Sequence, residues 1–215
     1  MIQENIPTFP PIKCIDFINN CWRIFNQSIQ DYHRIDDIDV PIQNPYPKND
    51  LQHLLYLKNW IDTIQWHLED LIRDPKIDPK EGMKLKYRID ASNQERTDLV
   101  ESIDVYFLNW YQDTKPLAGA KINTESPAWT VDRLSILALK IYHMEEQVQR
   151  SYTSLTHKNQ CRKKLYLLQI QQEDLFTAIE ELLEDIQSGR KYIKVYKQMK
   201  MYNDETLNPI LYKNQ

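Results

Sequence analysis

The stretch from Asn123 to His143 constrains this chain most. Ser126-Pro127 reads as a helix cap followed by proline at the first helical position, where its missing N–H costs nothing. From Val131 to Met144 the apolar residues fall on every side of the projected helix. A helix that is apolar all round is buried all round. Asp132, Arg133, Lys140 and His143 nevertheless interrupt it. Charges in such a place must be paired, exposed at an end, or used.

The rest of the chain agrees with a helical core. It has only three glycines in 215 residues, Gly82, Gly119 and Gly189. Phosphate-cradling loops need clustered glycines so that backbone amides can approach the anion. No such cluster exists, which excludes Rossmann and P-loop folds and argues against sandwiches and barrels with their many tight turns. Three cysteines, Cys14, Cys21 and Cys161, form no framework and suit free thiols in a reducing compartment. The first residues carry no basic-then-apolar leader, and no apolar window approaches ~18 residues, so the expectation is a cytoplasmic chain without a membrane span. A net charge of −4 argues against nucleic acid as a partner.

In chain order, residues 1–11 read as an arm with prolines at 7, 10 and 11. Apolar residues at helical spacing predict a first helix from Ile12 to about His33. Prolines at 41, 45 and 47 make 35–49 a loop. A second helix runs from Asn49 or Asp50 to Arg73, with Leu54, Leu57, Ile61, Ile64, Leu68 and Leu71 as its core face. Asp78-Pro79-Lys80-Glu81 is a start signal for a third, which runs to about Gln112. The fourth covers Pro127 to about Tyr152. In the fifth, Leu165, Leu168, Leu175, Ile179, Leu182 and Ile186 form a heptad-like stripe ending at Gly189. Residues 190–202 read as a basic sixth helix or a continuation, and 203–215 as a tail. No strand pattern is evident. The expected architecture is an all-α, up-and-down bundle of five to six helices in one domain, 12–202.

Several segments resemble one family. They are Asn44-Pro45-Tyr46-Pro47, the run His53-Leu-Leu-Tyr-Leu-Lys-Asn-Trp-Ile-Asp-Thr-Ile-Gln-Trp-His-Leu-Glu-Asp70, Asn93 to Asp98, Asn123-Thr-Glu-Ser-Pro127 and Asp132-Arg-Leu-Ser-Ile-Leu137. Together they look like a bacterial, all-helical domain-of-unknown-function family of about this length, from residue 12 to Tyr212. The resemblance implies a cytoplasmic helical protein, encoded in many genomes beside sugar-transferase genes of surface polysaccharide assembly. It implies no catalytic residues.

Candidate chemistry therefore rests on the residues. His53, Tyr56, Trp60, Thr63, His67 and Asp70 share one stripe of the second helix. That stripe is either a wet groove with acid/base histidines or a half-buried flank with each histidine hydrogen-bonded. Arg96 and Asn93 fall in the apolar seam of the third helix, so Arg96 wants a carboxylate or an anion, with Asp70, Glu125 and Asp132 as candidate partners. His53, His67, Asp70, Asp132 and His143 are the catalytic candidates. Asn93, Arg96, Glu125, Trp129 and Arg133 are the binding candidates, suited to a small anionic ligand such as a phosphorylated sugar or nucleotide.

Sharper motifs fail. There is no Glu-x-x-His, no His-Glu-x-x-His and no zinc-type Cys/His spacing, so the sequence assigns no metal and no cofactor. Glu180, Glu181 and Glu184 with Glu101 and Asp104 resemble the acidic pairs of all-helical nucleotide pyrophosphatases, but in the opposite order and at the wrong separation. Arg190, Lys191, Lys194, Lys197 and Lys200 alternate with tyrosines, which suits RNA or a helix end rich in cations. Two functions stay open, an enzyme or binder of a small anion, and a non-catalytic partner protein or homo-oligomer acting through the 155–188 helix.

Overall fold

The computed structural model describes residues 14–198, 201 and 204–213. The expected 1–11 arm lies outside them. The elements in order are α1 (Cys14–Tyr32), α2 (Leu51–Ile72), α3 (Pro79–Trp110), β1 (Lys121–Ile122), α4 (Pro127–Gln149), α5 (Leu155–Gln187), β2 (Lys191–Tyr192) and α6 (Pro209–Tyr212). Among the described residues the protein is an all-α bundle of five long helices, with one short helical turn near the C-terminus.

Local chemistry sets the helix ends. The Asp78 carboxylate accepts from the amides of Lys80 and Glu81, with Pro79 at the first turn of α3. Ser154 caps α5 by accepting from the His157 amide. Gly189 follows α5 with φ +75°, and a Cβ there would come within 2.7 Å of the Lys115 carbonyl oxygen. Only glycine fits that turn.

The helices do not simply alternate. Between α2 and α3, Asp62 meets Arg96 and Gln65 meets Asn93, so these two run antiparallel. From α3 to α4 and from α4 to α5 the alternation continues, and Cys14 and Trp22 of α1 meet Gln187 and Phe176 of α5, again antiparallel. Between α1 and α2, however, Ser28 meets Tyr56 and Tyr32 meets Trp60, so these run parallel. The proline-bearing link after α1 makes this possible by running back along it: Tyr46 donates to Gln27 and accepts from Arg23. The result is that α1, α2 and α4 point the same way, and α3 and α5 point the other.

The core is built from Ile18, Phe25, Ile29 and Tyr32 of α1, Leu55, Tyr56 and Leu68 of α2, Ile103 and Phe107 of α3, Leu134 and Leu139 of α4, and Leu183 of α5. Fully burying one such large side chain contributes about 1.5–3 kcal/mol. Two expectations need correction. The Leu54–Leu71 face of α2 is only partly covered, and Leu71 is exposed; the fully buried side carries Lys58, Asn59 and Thr63 instead. Residues 190–198 are not a helix. Gly189 turns the chain back along 115–122, where the Leu117 amide donates to the Gly189 carbonyl and the Lys121 amide to that of Arg190. β1 and β2 form a two-residue parallel pair, a strand that no alternation in so short a segment could announce.

Candidate functional site

The polar side of α2 is buried against α3 and α4, and it carries a charge quartet. Lys58 is 0 % exposed. Its Nζ donates to Asp62 Oδ2 at 2.5 Å and lies 2.7 Å from Asp132 Oδ1. Arg96 reaches in from α3, donating from Nε to Asp62 Oδ1 at 2.5 Å and from an Nη to Asp132 Oδ1 at 3.3 Å. Ser135 Oγ donates to Asp62 Oδ2 at 2.6 Å and accepts from Asn59 Nδ2 at 3.0 Å. Gln65 continues the network, donating to Asn93 and accepting from Ser92. Two cations face two carboxylates, so the buried charge sums to zero.

This is how a helix interior tolerates ions. A buried carboxylate costs several kcal/mol unless charge and hydrogen bonds replace its water. Asp62 receives three donors, from Lys58, Arg96 and Ser135. Burial works to lower the Arg96 pKa, but the Asp62 and Asp132 carboxylates outweigh it and raise it above the ordinary arginine value. The guanidinium is a permanent cation here.

The binding candidates separate into two groups. Asn93, Arg96, Trp129 and Asp132 come together, lining a cleft of about 360 Å³ between α3 and α4 with Thr97, Val100 and Gln198. Glu125 and Arg133 do not join them. They pair with each other on the surface, through Arg133 Nε and Nη, and the Arg133 side chain is 61 % exposed. A second cleft of about 240 Å³ opens on the other flank of Arg96, lined by Asp62, Gln65, Trp66, Glu69, Asp70 and two aliphatic residues of α4.

The catalytic candidates also divide. His53 shares an Nδ1 hydrogen bond with the Tyr46 carbonyl at 2.9 Å and holds the α1–α2 link. Tyr56 donates to Asp31, and Thr63 donates to the Asn59 carbonyl. This part of the α2 stripe is packed flank and not a wet groove. Asp70 is exposed at the rim. His67 and His143 instead meet each other, edge to face at 5.5 Å, together with His33. The acidic residues make no cluster of the pyrophosphatase kind. Glu181 and Glu184 face solvent, Glu101 accepts from the Gln198 amide, and Asp104 is buried at the start of α4. Arg190 and Lys191 are tied to Asp185, so that part of the basic run neutralises the end of α5; Lys200 lies outside the described residues.

Sequence reasoning missed Lys58, Asp62 and His33. Lys58 and Asp62 are four apart in α2 and face the same side as Asn59 and Gln65, a signal that a polar stripe was being buried. For His33, alone at a helix end, no sequence signal exists.

The fold and the quartet define a class, that of all-helical bundles with a neutralised charge network at their centre and clefts on both sides of one arginine. More particularly, the chain belongs to the family described as protein of unknown function (DUF4254), whose model matches residues 52–195, more than half of the chain. That span includes all of α2 but its first residue, with α3, α4 and α5, and so the whole quartet. No curated protein and no solved structure matches the chain. Among the described residues, no helix is long and apolar enough to cross a membrane.

Proposed function

We propose that this chain binds a small polar ligand of the phosphorylated-sugar or nucleotide class in the cleft between α3 and α4. The observation that carries the reading is the state of Arg96. Asp62, Asp132 and Gln65 engage three of its N–H groups, and a guanidinium has five. Its side chain is 21 % exposed and lines the clefts on both of its flanks. An arginine held from behind by carboxylates presents its remaining edge in a fixed direction, as anion recognition requires. Trp129 offers an aromatic surface, and Asn93, Thr97 and Gln198 supply neutral groups suited to hydroxyls. The volume falls within the range of small-molecule sites. Because the quartet is neutral overall, it is the remaining edge of Arg96 that meets the phosphate of the ligand.

Calorimetry against a panel of sugar phosphates and nucleotides tests this. Wild-type protein is expected to bind at least one of them. Arg96→Lys, which keeps a cation for Asp62 and Asp132, should weaken that binding at least ~10-fold while the protein stays folded, since lysine lacks the planar fork. A panel with no heat of binding overturns the reading.

A second reading has its own observation. On α5, Tyr166 and Leu167 are each 64 % exposed and Ile170 lies close by, also exposed, which suits a partner protein or a second copy through the 155–188 helix. It fits the accessory role in bacterial, cytoplasmic steps of envelope polysaccharide assembly that the resemblance implied. Light scattering and affinity purification with Tyr166→Glu separate the two readings. Loss of a partner with ligand binding intact favours the second.

A further inference from the structure

The parallel course of α1, α2 and α4 has a chemical result. Their C-terminal halves reach the same end of the bundle and bring His33, His67 and His143 together, although 34 and 76 residues separate them in sequence. One ring nitrogen from each lies within 4.8 Å of the others. His33 Nε2 and His67 Nε2 are 3.2 Å apart.

The hydrogen bonds fix which nitrogens carry protons. His33 Nδ1 lies 2.7 Å from the Ile29 carbonyl oxygen, which can only accept, so the proton is on Nδ1. His143 Nδ1 lies 2.8 Å from the Glu146 carboxylate, and the same argument applies. In the neutral form of either ring Nε2 is then a bare lone pair. For His143 that lone pair is shut off from solvent and meets no hydrogen-bond donor. His67 can satisfy His33 by donating across the 3.2 Å gap, but nothing in the cluster satisfies His143. Packing alone leaves this nitrogen unexplained.

A metal ion explains it. Zinc binds imidazole nitrogen at ~2.0–2.1 Å, and tetrahedral geometry then sets neighbouring nitrogens about 3.3 Å apart. The His33–His67 pair is already at that spacing. Metal-binding histidines also donate their other N–H to a carbonyl or a carboxylate, as His33 and His143 do here. Each ring is backed by an aromatic face: Tyr32 stacks on His67 at 5.2 Å and 14°, Trp66 stacks on His143 at 4.7 Å and 15°, and Tyr142 lies against His33 at 4.4 Å. Burial lowers the pKa values of His33 and His67, the direction that favours the coordinating neutral form.

We propose that His33, His67 and His143 are the protein ligands of a divalent transition-metal centre of the zinc class. Three imidazoles without a thiolate suit zinc, nickel, copper or iron and disfavour calcium and magnesium. Structural zinc sites have four protein ligands, whereas three with an open position is the catalytic arrangement. The Asp36 carboxylate lies 3.6 Å from His67 Nε2 and is exposed to solvent. Asp36 holds a left-handed backbone (φ 55°), and its amide donates to the Tyr32 carbonyl, which turns the chain back over the end of α1. A cleft of about 360 Å³ lined by Trp66, Asp70, Lys140, His143 and Gln147 adjoins the centre and gives a substrate room beside it.

The test uses the full chain, stripped with a chelator and titrated with zinc alone. The expected result is one zinc per chain, a raised melting temperature, and a strong tetrahedral visible spectrum when cobalt replaces zinc. His143→Gln and His67→Gln should each weaken binding more than ~100-fold, a first-ligand loss exceeding the ~10–100-fold of outer partners. Glu146→Gln changes only an exposed outer partner and should cost ~10–100-fold with the fold intact, so the proposal remains testable if a histidine variant does not fold. His53→Gln and Arg96→Lys should leave zinc binding unchanged, which keeps this result separate from that of the ligand cleft. Absence of stoichiometric binding in the wild type, or equal binding by the His143, His67 and Glu146 variants, overturns the proposal.

Discussion

The charge quartet and the histidine cluster both draw side chains from α2 and α4, yet they end in opposite states. In the quartet, Lys58, Asp62, Arg96 and Asp132 are charged, buried and matched with one another. In the cluster, the rings are half-buried and one nitrogen, Nε2 of His143, is left without a partner. In the quartet only the edge of Arg96 that its carboxylates leave over can meet a guest, while in the cluster a buried ring nitrogen has no partner at all.

That contrast can be broken by mutation. The largest effect is expected from Asp62→Leu, which strips Lys58 and Arg96 of their shared carboxylate. Removing one partner of a buried pair costs about 3–5 kcal/mol, read as a shift in the urea midpoint. Arg96→Leu should cost less, about 1–3 kcal/mol, because the side chain is partly exposed and Lys58 still balances much of the negative charge. His143→Phe in metal-free protein should change stability by no more than about 1 kcal/mol in either direction. The ring still stacks on Trp66, and no buried hydrogen bond to Nε2 is lost. If His143→Phe proves as costly as Asp62→Leu, the two regions are not different in kind.

Smaller effects sharpen the comparison. Burial raises the Asp104 pKa above the ordinary carboxylate value, with Ser126 and the Ala128 amide only partly offsetting it. The folded state therefore binds this proton more tightly than the unfolded state. Its contribution to stability is greatest below the usual aspartate pKa and is lost as pH rises through the raised value. Asp104→Asn should remove that dependence and raise the melting point at neutral pH, as thermal unfolding of both proteins across the acid-to-neutral range would show. Arg133→Ala should do almost nothing, within about 0.5 kcal/mol, since its pair with Glu125 is exposed.

The sequence disclosed the parts of this molecule better than their arrangement. Helix starts at Pro79 and Pro127 and the stop at Gly189 were legible because prolines, glycine and the Asp78 cap are local chemistry, although Ser126 makes no cap hydrogen bond to α4. So is the need of Arg96 for a carboxylate, and Asp132 is one of the partners that the sequence offers. The direction of α1 relative to α2 was not legible, because a long link can return the chain either way. Lys58 escaped because a lysine beside leucines ordinarily marks a solvated flank, and only tertiary packing turned that flank inward. His33, His67 and His143 share no spacing and no motif. Their meeting is a property of three helices running in parallel, which no single window of sequence contains.

Crystals of the zinc-loaded protein, measured on either side of the zinc absorption edge, give the most direct test. The account predicts a single anomalous peak about 2.0–2.1 Å from one ring nitrogen each of His33, His67 and His143. A peak elsewhere, or none with these three rings in their present positions, would contradict it.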